Sequence, residues 1–300
     1  MSVERIGLVG LGNMGKPMAR HLIANGFELQ VFDLDRALAR DFSAEIGATS
    51  AESLQELGRA SDIVITMLPT GRVVRDVVTG ENGLVAGLDS GDVVIDMSSS
   101  EPSGSRALAR ELAKIGIDFV DAPVSGGVPG AVDATLTIMV GAKDQALFDR
   151  VRPVLSALGK KIIPTGDVGT GHAMKALNNF IAGSNFAAAS EALILGARFG
   201  LDRATMLDII NTSTGRNFAS EKLLGQQVLT EKYSSGFTLG LLSKDVGIAA
   251  ALSKELEAGL PTVAQTNAWW QAALEGANGA DDHTTAYRYW SECAANGRKS

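Results

Sequence analysis

In the first half of the chain, short apolar runs alternate with amphipathic stretches; in the second half they do not. Strand-like runs fall at 5–9, 29–33, 62–68, 92–97, 118–122, 136–140 and 161–164. Between them, apolar residues spaced three and four apart predict helices over 14–25, 34–46, 103–115 and 144–158. This rhythm implies repeated βαβ units around a mostly parallel sheet, because a parallel neighbour is reached only by a crossover long enough to hold a helix. After about Thr165 the strand-like runs stop, and helical patterns follow at 172–200, 203–211, 244–258 and 262–275. The expected fold is an α/β N-terminal domain followed by an all-α C-terminal domain joined by a long helix. The turn-prone GDVGTG at 166–171 stands just ahead of the longest helical pattern, so the expected domains are 1–165 and 166–300.

Composition narrows the possible partners. Hydrophobic residues make up 45% of the chain, aromatics only 5%, and there are 34 glycines, a mix that suits α/β layers and closely packed helices. A formal charge of −7 leaves no basic surplus for nucleic acid. Cys293 is the sole cysteine, which excludes an intramolecular disulfide and a cysteine-rich zinc site. No ligand cluster points to any other metal. The apolar stretch 180–199 is interrupted by Asn185, Ser190, Glu191 and Arg198 and reads as a buried helix, not a membrane span. No basic leader precedes the first apolar run, so the expected location is the cytoplasm.

The segment IGLVGLGNMG sets Gly10, Gly12 and Gly15 after the first strand and at the opening of a helix. This is the G-x-G-x-x-G pattern of a Rossmann-type dinucleotide site, in which Gly10, Leu11, Gly12, Asn13, Met14 and Gly15 line the cofactor. The next strand ends in Asp33, where an acid can accept from ribose hydroxyls and repel a 2′-phosphate. Leu34 stands where a phosphate-binding arginine would follow, leaving only Arg36 to compensate, so NAD is expected over NADP. Met67, Leu68 and Pro69, and Ser98–Ser100, follow two later strands and are expected to face the cofactor, with Met67, Leu68, Pro69 and Ser100 the candidates to bind it. Loop or cap duty is the alternative for each.

Three further segments carry candidate chemistry. In PVSGGVPGA, Ser125, Gly126 and Gly127 offer a hydroxyl and exposed backbone N–H groups to an anion; a plain glycine turn is the rival reading. In GTGHAMKALNN, Lys175 and Asn179 lie four residues apart, on one helix face, where an amine and an amide can address one substrate oxygen; a solvated helix face is the alternative. In SGFTLGLLSKD, Lys244 and Asp245 are expected to head a helix, either as a surface pair or with Lys244 reaching the cofactor. Arg216 reads as a surface residue, with contact to a second acidic group on the substrate as the alternative, and His283 as structural.

The segments GLVGLGNMGKPMARHL, DAPVSGGVPGA, GTGHAMKALNN and GFTLGLLSKD together resemble the β-hydroxyacid dehydrogenase family, that of 3-hydroxyisobutyrate dehydrogenase and tartronate semialdehyde reductase, in the family's order and across nearly the whole chain. The resemblance implies that Lys175 is the general acid/base, that Asn179 assists it, that Ser125, Gly126 and Gly127 hold the substrate carboxylate, and that Lys244 contacts the cofactor. It also implies a small 3-hydroxy acid or semialdehyde substrate and self-association as a homodimer or homotetramer. An imine reductase is disfavoured by Lys175, and a non-catalytic dinucleotide-binding protein by the joint presence of Ser125, Gly126, Gly127, Lys175 and Asn179.

Overall fold

A computed structural model describes residues 4–296. The chain divides into two compact units, one ending at Lys175 and the other beginning at Ala176.

The first unit is built on one sheet. Strands β1 (Arg5–Val9), β2 (Glu28–Phe32), β3 (Thr49–Ser50), β4 (Ile63–Thr66), β5 (Val93–Asp96) and β6 (Asp118–Asp121) run parallel in the order β3-β2-β1-β4-β5-β6. β4 and β5 are buried at every position, as a parallel strand covered on both faces must be. Alternate residues enter separate apolar clusters: Ile63 and Ile65 pack with Leu8 and Met18, Val64 with Val94 and Leu112. Beyond β6 the sheet turns mixed. β7 (Val124–Ser125) and β6 both pair antiparallel with β8 (Leu136–Gly141), and β9 (Gly159–Gly166) returns parallel to β8. The expected mostly parallel sheet is therefore present. β3 and β7 were beyond the reach of periodicity, because two residues have no period.

The helices of this unit are α1 (Gly15–Ala24), α2 (Arg36–Ile46), α3 (Leu54–Arg59), α4 (Gly71–Thr79), α5 (Pro102–Ala113), α6 (Gly127–Val132) and α7 (Gln145–Ser156). α3, α4 and α6 are additions to the expected set. The side chains of Asp35, Ser53, Thr70 and Asp144 each accept a hydrogen bond from the first turn of α2, α3, α4 and α7. α1, preceded by Met14, has no such cap, and neither do α5 and α6.

Helix α8 (Thr170–Phe199) runs from the first unit into the second. It is the one helix among the described residues long and apolar enough, by length and composition, to cross a membrane. Its Phe186, Ala187 and Leu193 nevertheless belong to the core of the second unit. That core also takes residues from α9 (Arg203–Asn211), a π-helical segment (Ala219–Val228), α10 (Leu239–Glu255), α11 (Pro261–Gly276) and α12 (Ala286–Ala295). A side chain at Gly183 would stand 2.9 Å from Trp270 Nε1, so glycine there lets α8 pass against the indole.

The expectation that Lys244 and Asp245 head a helix is corrected. α10 starts at Leu239, capped by Thr238, whose hydroxyl accepts from Leu241 N. Leu239 and Leu242 are buried in its first turns, which puts Lys244 one turn inside.

His283 is buried with its ring 5.5 Å from Phe186, 5.9 Å from Phe237 and 6.2 Å from Trp270. Burial lowers its pKa, against the opposing effects of Phe237 O and Asp282. A folded-state pKa below the unfolded value means that the unfolded chain takes up the proton first as pH falls. This contribution to stability is thus full above the ordinary histidine range and is lost in acid. Urea unfolding of the natural chain and of His283→Phe, compared at about pH 7.5 and about pH 5.5, should show a flatter decline in the variant; parallel declines would refute it.

Candidate functional site

The turn between β1 and α1 brings backbone against backbone. A Cβ on Gly10 would lie 2.4 Å from Met67 O, and Gly10 has φ +102°, which disfavours any L side chain. A Cβ on Gly15 would lie 1.9 Å from Gly10 O. Gly12 differs: nothing of the protein comes within 4 Å of its Cβ position, and the residue is exposed. Its bareness therefore serves no internal packing and leaves room for something outside to approach the backbone. Gly12 and the uncapped start of α1 together form a cradle that fits a dinucleotide pyrophosphate, since helix N–H groups and the dipole attract phosphate. Asn13 is exposed and Met14 half-buried beside it.

Asp33 follows β2 and closes over this turn. Its Oδ2 accepts from Leu11 N at 2.7 Å and its Oδ1 from Asp35 N at 3.0 Å. Each oxygen keeps a second lone pair, so the half-buried carboxylate can still receive ribose hydroxyls. The cap of α2 is Asp35, which leaves Asp33 without that duty. Leu34 is 88% exposed. The Arg36 guanidinium stacks 3.9 Å over the Phe32 ring and donates to Ala51 O at 3.3 Å, so it is already engaged.

The carboxyl ends of β4 and β5 are tied together. Leu68 N donates to Ser98 Oγ at 2.9 Å. Asp96 Oδ1 accepts from Thr66 Oγ1 at 3.0 Å and from Ser98 N at 3.0 Å, and its Oδ2 accepts from Ser100 Oγ at 2.7 Å. The predicted segments at 67–69 and 98–100 therefore form one edge with Gly10. The Ser100 hydroxyl is buried and given to Asp96, which leaves its backbone for any outward role.

Ser125 lies in β7, paired with Thr137, and is followed by Gly126 at φ +133° and Gly127 at φ +60°. Both glycines are exposed, with Ser125 half-buried beside them. Lys175 is half-buried in the second turn of α8. Asn179, four residues on, is 7% exposed and donates from Nδ2 to Asp245 Oδ2 at 2.6 Å; its Oδ1 accepts from Asn178 at 3.1 Å. A carboxylate only accepts, so this contact fixes which way the amide points. Asp245 is 2% exposed, and Lys244 Nζ lies 3.2 Å from its Oδ1, an ion-pair distance without hydrogen-bond alignment. Arg216 is mostly exposed, 3.7 Å from Glu221.

Sequence reasoning missed three groups: Asp96, Asp121 and His172. Asp245 was seen only as half of a Lys-Asp pair. Burial was the missing information, though HAMK, with a histidine three residues before the lysine, carried a trace of it.

A glycine cradle at the carboxyl edge of a parallel sheet, and a long helix that carries a lysine and an asparagine four residues apart, are the parts of a dinucleotide-dependent oxidoreductase. Residues 5–166 match the NAD binding domain of 6-phosphogluconate dehydrogenase, and residues 169–290 match the family described as NAD-binding of NADP-dependent 3-hydroxyisobutyrate dehydrogenase. The chain is 40% identical over 288 residues to 2-(hydroxymethyl)glutarate dehydrogenase of Eubacterium barkeri, covering 96% of this chain and 95% of that one. It is 34% identical over 283 residues to 2-hydroxy-3-oxopropionate reductase of Escherichia coli, covering 93% and 94%. The structure of Mycobacterium tuberculosis 3-hydroxyisobutyrate dehydrogenase with L-serine superposes with a TM-score of 0.88 at 31% identity, over 96% of this chain and 99% of that one. The chain belongs to the β-hydroxyacid dehydrogenase family. It is an oxidoreductase of hydroxy acids, acting on CH–OH, and it uses NAD(P).

The three glycines should separate on substitution. Gly12→Ala should leave the melting temperature within a degree or so yet weaken NADH binding about tenfold, while Gly15→Ala should lower stability itself. Differential scanning fluorimetry and NADH fluorescence titration read the two effects; equal thermal losses would contradict the assignment.

Proposed function

We propose that the protein passes a hydride between NAD(H) and a small 3-hydroxy acid or its semialdehyde, with Lys175 as general acid/base. The observation that carries this reading is the Asn179 amide, held at 2.6 Å by buried Asp245 one helical turn from the half-buried Lys175. Bound cofactor supplies or receives the hydride. In oxidation the Lys175 amine takes the hydroxyl proton, and in reduction it returns it. One N–H of Asn179 is committed to Asp245, and the other is the donor for the same substrate oxygen or its neighbour. The Ser125 hydroxyl and the backbone N–H groups of Gly126 and Gly127 hold the carboxylate, and Lys244 contacts the cofactor. In this reading residues 1–165 bind the dinucleotide, and 166–300 serve the substrate and self-association.

NAD is the preferred cofactor. Asp33 places a carboxylate where a 2′-phosphate would go, Leu34 offers no charge, and Arg36 is engaged with Phe32 and Ala51. For the substrate, 3-hydroxyisobutyrate and tartronate semialdehyde are the leading pair. The 40% identity to the Eubacterium barkeri enzyme adds 2-(hydroxymethyl)glutarate, a 3-hydroxy acid with a second carboxylate. The enzyme works in the cytoplasm as a homodimer or homotetramer. Ile181, Leu195 and Phe199, exposed on α8, support the association.

Lys175→Ala should lower kcat by about a hundredfold to ten-thousandfold with NADH affinity unchanged; steady-state assays over the three substrates with fluorescence titration check it, and a fully active variant would remove the lysine mechanism. In the same assays kcat/KM should favour NAD over NADP, and Asp33→Ala should narrow that ratio by about tenfold or more. A natural enzyme preferring NADP would reverse the reading of Asp33.

A further inference from the structure

The chemistry proposed above leaves a buried polar cluster at the start of α8 without a role. Asp121 and His172 are shut off from solvent, and ionisable groups in such a place are costly unless their hydrogen-bonding capacity is used. It is used. Asp121 Oδ1 accepts from Gly169 N at 2.7 Å and its Oδ2 from His172 N at 2.8 Å, so a carboxylate at the end of β6 caps a helix far away in sequence. Burial pushes the Asp121 carboxyl up from its ordinary pKa, while His172 and these backbone donors oppose the rise.

The His172 ring adds two more ties. Nε2 lies 3.1 Å from Ser98 O, and a carbonyl only accepts, so Nε2 carries the hydrogen. Nδ1 lies 2.7 Å from Ser105 Oγ. The carboxylates of Asp96 and Asp121 stand 3.6 Å from Nε2 and 3.8 Å from Nδ1. The helix start is also pressed tight. A Cβ on Gly171 would fall 2.4 Å from Met139 O and 2.9 Å from Asp121 O, and one on Gly169 would fall 2.9 Å from Pro102 O. The ends of β5 and β6, the middle of β8 and the start of α5 therefore fix where α8 begins and how it is turned about its axis. Residues three apart share a helix face, so the rotation set at position 172 is inherited at position 175.

We infer that Asp121 and His172 are positioning residues for Lys175: they clamp the first turn of α8 so that the amine, one turn on, is held in register with the reacting carbon. The inference rests on the reading of Lys175 as acid/base. Misplacing a reacting group by about an ångström costs about a hundredfold in rate, so a loosened clamp should be visible in kcat before it is visible in cofactor binding.

The test compares His172→Ala, His172→Gln, Ser105→Ala and Lys175→Ala in the full chain, measuring kcat, KM and NADH affinity. His172→Ala should lose about a hundredfold in kcat with NADH affinity within about twofold, and His172→Gln, whose amide N–H can still donate to Ser98 O, should recover part of it. Unchanged kcat in His172→Ala, a loss that follows NADH affinity, or glutamine no better than alanine would each overturn the inference. If His172→Ala does not fold, Ser105→Ala decides: kcat should fall several-fold with NADH affinity intact, and an unchanged kcat would overturn the inference. Activity surviving in Lys175→Ala would sink the lysine reading and this inference with it; loss there beside a fully active His172→Ala would sink this inference alone.

Discussion

The corner where β1, α1 and the end of β4 meet depends on backbone meeting backbone with no side chain between. Gly15 must lie against Gly10 O, and Gly10 against Met67 O, before β1, α1 and the end of β4 can share one corner. One methyl group at either contact would force strand and helix apart. The rest of the edge follows from this contact. Leu11 N can then reach Asp33, Leu68 N can reach Ser98, and Asp96 can gather Thr66, Ser98 and Ser100 into one buried knot. Apolar burial in the two clusters on either side of the sheet supplies the bulk of the stability. The close approaches decide where the polar edge stands.

Buried acids serve the same end in both units. In the first, Asp96 and Asp121 take backbone and hydroxyl donors from the loops after β5 and before α8, from the end of β4 and from the first turn of α8. In the second, Asp245 takes the Asn179 amide. A carboxylate removed from water tolerates few arrangements of its donors, so each acid specifies its surroundings more sharply than an apolar side chain would.

The architecture was legible because it rests on periodicity. Seven strands and four of the helices between them followed from apolar spacing, with bounds shifted by a residue or two at fraying ends, while the short α3, α4 and α6 did not. The glycine cradle was legible because its chemistry needs particular residues at particular spacings. What stayed hidden depended on distant partners. Asp245 could be read only as half of a surface pair, since nothing local shows that its other neighbour is Asn179. His172 looked like any polar residue at a helix start, and Asp121 like a strand end. The start of α10 was misplaced for a different reason: LGLL after a glycine reads as loop until Thr238 is recognised as its cap.

The first turn of α1 has no side-chain acceptor of its own. In this unit α2, α3, α4 and α7 carry their own terminating side chain, whereas α1, α5 and α6 do not. α1 opens beside the exposed Gly12, where a phosphate group would complete its first turn. A dinucleotide entering this corner completes secondary structure as well as filling space. Part of its binding energy should therefore appear as local order, making the loop from Gly10 to Met14 the place where bound and unbound molecules differ most in mobility.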